Sequence, residues 1–290
     1  MMKLSIITIN KNNASGLQKT MESVFDQTSK DFEYIVIDGA STDGSKEIIE
    51  QFSSHRLTAS PSHHLRWVSE PDTGIYNAMN KGIKMAQGEY VQFLNSGDTL
   101  AAPDVTKQML EFADLPLSLG EGTGVRSGAS IMYGNMLKPL PKGILRDKGF
   151  AGRQPTLLDF YNGTLNHSPA FIRRSLFDKY GLYDETLKIV SDWKWYMQVI
   201  ICGNEQIEYR NIDVTVFDMN GISSVNRNLD KAERKEVFAT LFPPTLLKDY
   251  EQWAFPIEQM KRLNKYWLTR KLIWWMERGL FKWEKWTKHK

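Results

Sequence analysis

The chain has 290 residues, a formal net charge of +3 and a single cysteine. This length is enough for one large α/β domain with an appendage, and one cysteine excludes an internal disulfide. No apolar run reaches the ~20 residues that a helix needs to span a bilayer, and no targeting segment precedes the first apolar run, so we expect a cytoplasmic protein.

The first hundred residues alternate between apolar strands and amphipathic helices. This order predicts a doubly wound, mainly parallel sheet. Strands are predicted at 4–9, 32–37, 65–68 and 89–94, and helices at 15–25 and 76–86, with a third helix around Ile48, Ile49 and Phe52. The Gly- and Ser-rich segment 115–128 is predicted to be a surface loop.

Polar residues follow the predicted strands of this sheet. Asn10, Asp38 and Asp98 come at the ends of three strands, and Asp72 lies in the turn after a fourth. Carboxyl ends of parallel strands form the edge of an open α/β sheet at which ligands bind, and a carboxylate there can hold a divalent cation against phosphate oxygens. Each of these residues is also an ordinary turn former.

Five segments, taken in order, resemble family 2 glycosyltransferases. They are Ser-Ile-Ile-Thr-Ile-Asn (5–10), Ile-Asp-Gly-Ala-Ser-Thr-Asp-Gly-Ser (37–45), Glu-Pro-Asp-Thr-Gly-Ile-Tyr-Asn-Ala-Met-Asn-Lys-Gly (70–82), Phe-Leu-Asn-Ser-Gly-Asp (93–98), and Gly-Leu-Tyr-Asp-Glu with Ser-Asp-Trp (181–185, 191–193). The resemblance covers about residues 3–225 and implies a GT-A type nucleotide-sugar fold for a domain of residues 1–225. The pattern of the C-terminal residues predicts a helical extension over 226–290. The resemblance also implies inverting sugar transfer with Mg²⁺ or Mn²⁺ as cofactor.

The resemblance also assigns roles to residues of this chain. Asp192 corresponds to the catalytic base, Asp98 to the metal ligand and His167 to the acceptor or diphosphate side. A strand is predicted at 214–219, and residues 221–224 after it resemble a loop near the diphosphate. The residues implied to bind the nucleotide-sugar are Thr8, Asn10, Asp38, Asp72 and Asn80. Structural alternatives remain open: Asp192 is placed to cap a helix, helix packing explains Asn80, and a lone histidine is often structural.

The metal motif departs from the family pattern. The family usually shows two or three carboxylates here, whereas Asn95-Ser96-Gly97-Asp98 keeps one. Mg²⁺ and Mn²⁺ are commonly held by one or two carboxylates plus substrate phosphates. We therefore expect a cation that relies on diphosphate oxygens and water for its other ligands.

Competing enzyme classes lack their motifs in this chain. The segment after the first strand, Lys11 to Ser15, has no Gly-rich phosphate loop of a nucleotidyltransferase, dehydrogenase or P-loop enzyme. The resemblance therefore predicts transfer from a nucleotide-diphosphate sugar, expected to be a UDP-sugar, to a saccharide or lipid-linked acceptor in surface polysaccharide synthesis. The alternative is a catalytically weak or inactive relative that binds a nucleotide-sugar or saccharide.

The C-terminal 30 residues differ in composition from the rest. Residues 261–290 have a net charge of +8 and five tryptophans, whereas the remainder has a net charge of −5. At helical spacing, apolar residues from Leu268 to Trp286 share one face opposite the basic residues. This pattern predicts a helix that lies on an anionic membrane surface, at the inner face of the cytoplasmic membrane. Packing on the catalytic domain is the alternative; nucleic acid binding is not expected.

Overall fold

A computed structural model describes residues 2–29, 31–55, 64–113, 129–219 and 226–287. The chain divides into two compact units, Met1–Arg234 and Lys235–Lys290. The predicted loops at 115–128 and 221–224 lie outside the described residues.

The N-terminal half of the first unit is a parallel α/β layer. Strands β1 to β4 lie in the order β3-β2-β1-β4, and every neighbouring pair among them is parallel. The strands are β1 (Leu4–Asn10), β2 (Phe32–Asp38), β3 (His64–Ser69) and β4 (Tyr90–Phe93), and the helices that connect them are α1 (Ala14–Phe25), α2 (Ser45–His55) and α3 (Ile75–Met85). The doubly wound order predicted from the sequence is confirmed here.

The second half of the sheet is mixed. Beyond β4 the strand order is β8-β6-β9-β5, with β7 paired to β6; only β6 and β9 are parallel in this part. Its elements are β5 (Thr99–Leu100), α4 (Val105–Ala113), β6 (Ile131–Leu140), β7 (Gly143–Asp147), α5 (Leu157–Asn162), β8 (Ala170–Arg173), α6 (Ser175–Tyr180), α7 (Ser191–Tyr196), which continues as a π-helical segment (Met197–Cys202), and β9 (Ile207–Val216).

Strand β9 differs from the strand predicted at 214–219. It begins at Ile207 because its backbone pairs with β6 from Ile131 to Leu137. Most of its side chains are half-buried, and Glu208 and Arg210 interrupt the apolar run. Pairing to a neighbour, rather than apolar composition, therefore sets the start of this strand.

The core lies between the parallel strands and their helices. Strands β1 and β2 are buried along their whole length, as expected for a parallel sheet covered on both faces. Helix α3 packs closely because Gly82 has no side chain: a Cβ at this position would lie 2.5 Å from Ile7 Cγ2. This close approach fixes α3, and with it the residues that α3 presents at the sheet edge.

Helix α8 (Arg227–Leu241) crosses the boundary between the units. The second unit also contains α9 (Pro244–Leu263) and α10 (Trp267–Thr287). These two helices expose many large apolar side chains, among them Trp253, Phe255, Trp267, Leu272 and Trp275. Within the described ranges, no helix is both long and apolar enough to cross a bilayer.

Candidate active site

A cleft of about 1410 Å³ opens at the carboxyl ends of β1 and β4, within the first unit. One wall comes from the ends of these strands and from the first turns of α1 and α3. The facing wall comes from the segments 164–168, 188–193 and 216–219, together with Asp230 and Arg234 of α8. Five predicted site residues line it: Asn10, Asp72, Asp98, His167 and Asp192.

Asp38 holds the turn after β2. Its buried carboxylate accepts hydrogen bonds from Asn10 Nδ2 (2.8 Å), from the backbone N–H and hydroxyl of Ser41 (3.0 and 2.6 Å) and from the Ser69 hydroxyl (2.6 Å). Burial acts to raise the pKa of Asp38, but these hydrogen bonds outweigh it, and the pKa lies below the ordinary value. Asp38 itself does not line the cleft; it fixes Asn10, which does.

Asp72 reaches the cleft because its neighbour is a glycine. A Cβ on Gly39 would lie 2.3 Å from Asp72 Oδ2. The glycine after Asp38 therefore leaves the space in which the Asp72 carboxylate lies. The lining also contains Lys11 and Lys19, which bring positive charge to this wall.

Asp98 is a buried carboxylate next to a second one. Its Oδ1 accepts a hydrogen bond from the backbone N–H of Asp218 (2.8 Å), and the Asp218 carboxylate lies over Gly97, where a Cβ would be 2.5 Å from Asp218 Oδ2. Gly97 has φ of +107°, a conformation that favours glycine. Burial, together with the nearby Asp218 charge, raises the pKa of Asp98 to about 6 against the lowering effects of the Asp218 N–H and His167.

Asp192 and His167 form a pair on the facing wall. His167 Nδ1 lies 3.3 Å from Asp192 Oδ2, and the Tyr76 hydroxyl donates to Asp192 Oδ1 (2.9 Å). The Asn95 amide nitrogen lies 3.3 Å from His167 Nε2. A chain of contacts therefore runs from Tyr76 on the first wall to Asp192 and His167 on the facing wall. From there it returns to Asn95 on the first wall, in the turn that bears Asp98.

The pair shifts both pKa values. Burial opposes the charge on Asp192, but the hydrogen bond and charge of His167 and the Tyr76 hydroxyl outweigh it and lower the pKa of Asp192. Burial acts to lower the pKa of His167, whereas Asp192 and the more distant Asp98 raise it above the ordinary value. Asp192 is thus held as a carboxylate that can accept a proton.

Helix α7 places Asp192 in its first turn. The helix is anchored by buried tryptophans: Trp193 Nε1 donates to the Phe160 carbonyl (2.9 Å) and Trp195 Nε1 to the Gly181 carbonyl (2.8 Å). The N-cap position is Val190, and no side-chain cap is made there. The carboxylate of Asp192 contacts Tyr76 and His167 and also interacts with the backbone N–H of Trp193, so helix capping alone does not account for its contacts.

Thr8 and Asn80 lie outside the cleft lining. The Thr8 hydroxyl is buried and donates to the Leu94 carbonyl (2.7 Å), while Asn80 bonds the backbone of Tyr183 and the Glu185 carboxylate. Both side chains use their polar atoms on the protein itself. Their role as nucleotide-sugar ligands stays a prediction.

Asp218 was not among the predicted site residues, and Tyr76 was not given a role. Asp218 follows β9, and the apolar run around it was assigned to the strand. Tyr76 stands in the quoted Gly-Ile-Tyr-Asn segment, so the motif included it without a role. Among the residues that the model describes, no group of three or more His, Cys, Asp or Glu side chains is arranged to hold a metal.

Asp98 and Asp218 nevertheless fit a hard divalent cation. They offer two carboxylates on either side of Gly97, and both line the cleft. The pKa of Asp98 is raised because burial outweighs the stabilising effects of the Asp218 N–H and the His167 charge. One or two carboxylates are the usual protein share of a Mg²⁺ site completed by substrate phosphates.

Residues 5–181 match the family model "Glycosyl transferase family 2". An uncharacterized glycosyltransferase of Mycobacterium tuberculosis is 31% identical over 223 residues, which cover 76% of this chain and 77% of that protein. The chain therefore belongs to glycosyltransferase family 2, as the sequence motifs predicted, and is a glycosyltransferase.

Solved structures show the same fold. The chain is similar to S. aureus TarS 1-349 in complex with UDP-GlcNAc, with a TM-score of 0.64 and 21% identity over 82% of this chain and 64% of that one. It is also similar to the mannosyltransferase PcManGT from Pyrobaculum calidifontis in complex with GDP-Man and Mn²⁺, with a TM-score of 0.59 and 16% identity over 99% and 83%. The predicted GT-A fold is confirmed.

Proposed function

We propose that this protein is an inverting glycosyltransferase that moves a sugar from a nucleotide-diphosphate donor, a UDP-sugar, to a saccharide or lipid-linked saccharide. The observation that supports this most is the cleft itself. A carboxylate pair, Asp98 with Asp218, lies in it at the end of the parallel sheet, and the ionised Asp192 carboxylate lies on the facing wall. Asp98 and Asp218 would thereby serve to stabilise the leaving group, and Asp192 would activate the acceptor.

Inversion at the anomeric carbon is a single displacement by an acceptor hydroxyl. The hydroxyl must lose a proton, and a carboxylate within hydrogen-bond reach is suited to take it. Asp192 is this base: its pKa is lowered, so the proton-accepting form is present at neutral pH. His167 and Tyr76 hold one oxygen each, which fixes the carboxylate while a lone pair on each oxygen remains available to the acceptor.

The departing nucleotide diphosphate gains negative charge as the bond to the sugar breaks. Asp98 and Asp218 would hold the Mg²⁺ or Mn²⁺, which when bound neutralises that charge. Lys11, Lys19 and Lys188 line the same cleft and add positive charge to it. Asn10 and Asp72 line the wall at the sheet edge, where the donor would bind. Asp38, Thr8 and Asn80 lie behind this wall and would position the residues that form it.

Named relatives support a role in surface glycan synthesis. A "PGL/p-HBAD biosynthesis glycosyltransferase" of Mycobacterium bovis is 26% identical over 227 residues, covering 78% of this chain and 79% of that protein. The chain is also 35% identical over 111 residues to a "Putative teichuronic acid biosynthesis glycosyltransferase TuaG" of Bacillus subtilis, covering 38% and 41%. We assign this chain the same class of acceptor, a surface saccharide or its lipid-linked precursor.

Residues 261–290 supply the proposed membrane contact. Leu268, Leu272, Trp275 and Leu280 are all exposed on α10. Basic groups stack on two tryptophans of the same helix, Lys271 on Trp267 and Arg278 on Trp274. A basic helix with exposed apolar and tryptophan side chains suits an anionic membrane surface at the inner face of the cytoplasmic membrane, where a lipid-linked acceptor is presented.

Nucleotide release and sugar transfer from a donor panel test the proposal. UDP-glucose, UDP-GlcNAc and GDP-mannose are offered with Mg²⁺, Mn²⁺ or EDTA and with methyl and octyl glycosides as acceptors. Asp192→Asn is expected to keep donor affinity and to slow transfer by about 10² to 10⁴, because a positioned general base contributes that much. The exposed Asp104→Asn variant is the matched control.

Two outcomes would contradict the assignment. Transfer by Asp192→Asn at the parental rate would mean that the base is another group. Tight binding of a donor without any turnover by the parental protein would favour the alternative, a catalytically inactive relative that binds nucleotide-sugars.

A further inference from the structure

Glu233 is a buried carboxylate that the proposed chemistry does not use. It lies in the part of α8 that belongs to the first unit, and 7% of the residue is exposed. Its Oε1 accepts a hydrogen bond from the backbone N–H of Lys188 (2.7 Å), and its Oε2 accepts from the N–H groups of Ile189 (2.9 Å) and Val190 (3.2 Å). Three successive amides thus converge on one side chain.

These amides belong to the segment that delivers Asp192. The Val190 carbonyl accepts a hydrogen bond from the Lys194 N–H (2.9 Å), which opens the first turn of α7. Both backbone polar groups of Val190 are therefore hydrogen-bonded. Its N–H donates to Glu233, and its carbonyl accepts from the Lys194 N–H of α7. Asp192 lies two residues further along.

The same segment also bonds the tyrosine that contacts Asp192. The Ile189 carbonyl lies 2.5 Å from the Tyr76 hydroxyl, and that hydroxyl lies 2.9 Å from Asp192 Oδ1. A hydroxyl has one hydrogen, so the two acceptors compete for it. While Asp192 is ionised, its negative charge favours Oδ1 as the acceptor of the Tyr76 hydrogen bond, and the proton stays on Tyr76. Once Asp192 has taken the acceptor's proton, its own O–H can donate to Tyr76, which then donates to Ile189.

We propose that Glu233 is a positioning residue for the general base, acting on Asp192 through the segment 188–190. This inference rests on the proposed role of Asp192. Glu233 fixes the start of α7 and keeps the Ile189 carbonyl within reach of Tyr76 both before and after proton transfer. Without the carboxylate, three amides lose their acceptor, and the Asp192 carboxylate loses its fixed position relative to the acceptor hydroxyl.

Glu233→Gln is the variant that tests this role. The amide keeps the size of the side chain, but it replaces one acceptor oxygen with a donor group that faces a backbone N–H. We expect kcat to fall about 10- to 100-fold, the cost of misplacing a reacting group, with the KM for the donor unchanged. Glu236→Gln, on the exposed side of the same helix, is the matched control and should keep the parental kcat.

A double-variant cycle separates positioning from general destabilisation. If Glu233 acts through Asp192, adding Glu233→Gln to Asp192→Asn changes kcat by less than roughly twofold, because the base it positions is already absent. Equal loss of kcat in both backgrounds would overturn the proposal, as would an unchanged kcat in the folded single variant. Glu233→Asp, which retains the charge, is expected to lie between the parental protein and Glu233→Gln, and it serves in the cycle if Glu233→Gln does not fold.

Failure of the proposed function would look different. Parental turnover by Asp192→Asn alone would remove the general-base assignment and this inference with it, whatever Glu233→Gln does. A slow Asp192→Asn with a fully active Glu233→Gln would leave the proposed function intact and overturn only the role of Glu233.

Discussion

A buried carboxylate, Asp98, and a partly buried one, Asp192, line the same cleft with opposite pKa shifts. Asp98 has its pKa raised to about 6 because burial dominates, whereas the pKa of Asp192 is lowered because His167 and Tyr76 offset its burial. Environments that push the pKa values of neighbouring carboxyls apart assign them different chemical roles. This difference supports the proposed roles, with Asp192 as the base and Asp98 as a metal ligand.

The raised pKa of Asp98 predicts a pH-dependent stability difference. Because its pKa is higher in the folded than in the unfolded protein, Asp98 favours folding below its unfolded pKa, and this contribution is lost as pH rises through about 6. In EDTA, Asp98→Asn should therefore be more stable than the parental protein at pH 8, by up to about 3 kcal/mol, and equally stable near pH 4.

Urea unfolding at pH 4, 6 and 8 measures this difference. The exposed Asp104→Asn variant should follow the parental protein at each pH. Equal stability of Asp98→Asn and the parental protein at pH 8 would contradict the prediction. The same substitution should abolish metal-promoted nucleotide binding.

Helix α3 joins the two halves of the site. Its N-terminal turn carries Tyr76, which contacts Asp192, and its next turn carries Asn80, which bonds the N–H and carbonyl of Tyr183 (3.0 and 2.9 Å). Asn80 also donates to Glu185 (2.8 Å). The parallel sheet thus fixes α3, and α3 fixes the segment that leads towards Asp192.

Asn80→Ala is therefore expected to destabilise the protein. It leaves the buried N–H and carbonyl of Tyr183 without their partner, which costs roughly 2 kcal/mol or more. Asn77→Ala removes two exposed hydrogen bonds, one donated to Glu185 and a long one accepted from the Thr73 N–H, and should cost far less. Thermal unfolding and donor titration distinguish the two roles: a raised donor dissociation constant without loss of stability would instead make Asn80 a donor ligand.

At the scale of the whole molecule, charge is divided unevenly. The 30 C-terminal residues have a net charge of +8, and the remaining 260 have a net charge of −5. The donor cleft lies entirely in the first unit. Membrane attachment and donor binding are therefore expected to be separable by substitutions in α10.

Leu272→Ser combined with Trp275→Ser is expected to release the protein from anionic vesicles. Each apolar side chain contributes about 1.5 kcal/mol or more when it enters the interface, so partitioning should weaken about 100-fold. Glu277→Asp, on the other side of α10, keeps the charge of the helix and is the matched control. Raising the salt concentration should weaken binding of the parental protein, because its basic residues interact with the lipid through screened charges.

Sedimentation with anionic and neutral vesicles measures this partitioning. The double variant should still bind donor nucleotide, since its substitutions lie outside the first unit. Equal partitioning of the double variant and the parental protein would contradict the membrane role of α10.

The sequence by itself determined the family, the alternation of strands and helices in the N-terminal half, and five of the residues that line the cleft. Periodicity sets which segments bury their faces, and parallel pairing brings the ends of β1, β2 and β4 to one edge. Residues that follow these strands directly, such as Asn10 and Asp98, could therefore be predicted.

Only the tertiary structure decided which distant residues meet. Asp218 joins Asp98 through the pairing of β9, Tyr76 reaches Asp192 through the packing of α3, and Glu233 reaches the amides of 188–190 from α8. These contacts join residues far apart in the chain, and no local spacing encodes them. The sequence predicted that Thr8 and Asp38 lie at this edge of the sheet. It could not predict that they lie behind the cleft lining, because the side chains packed against a polar residue decide whether that residue faces solvent.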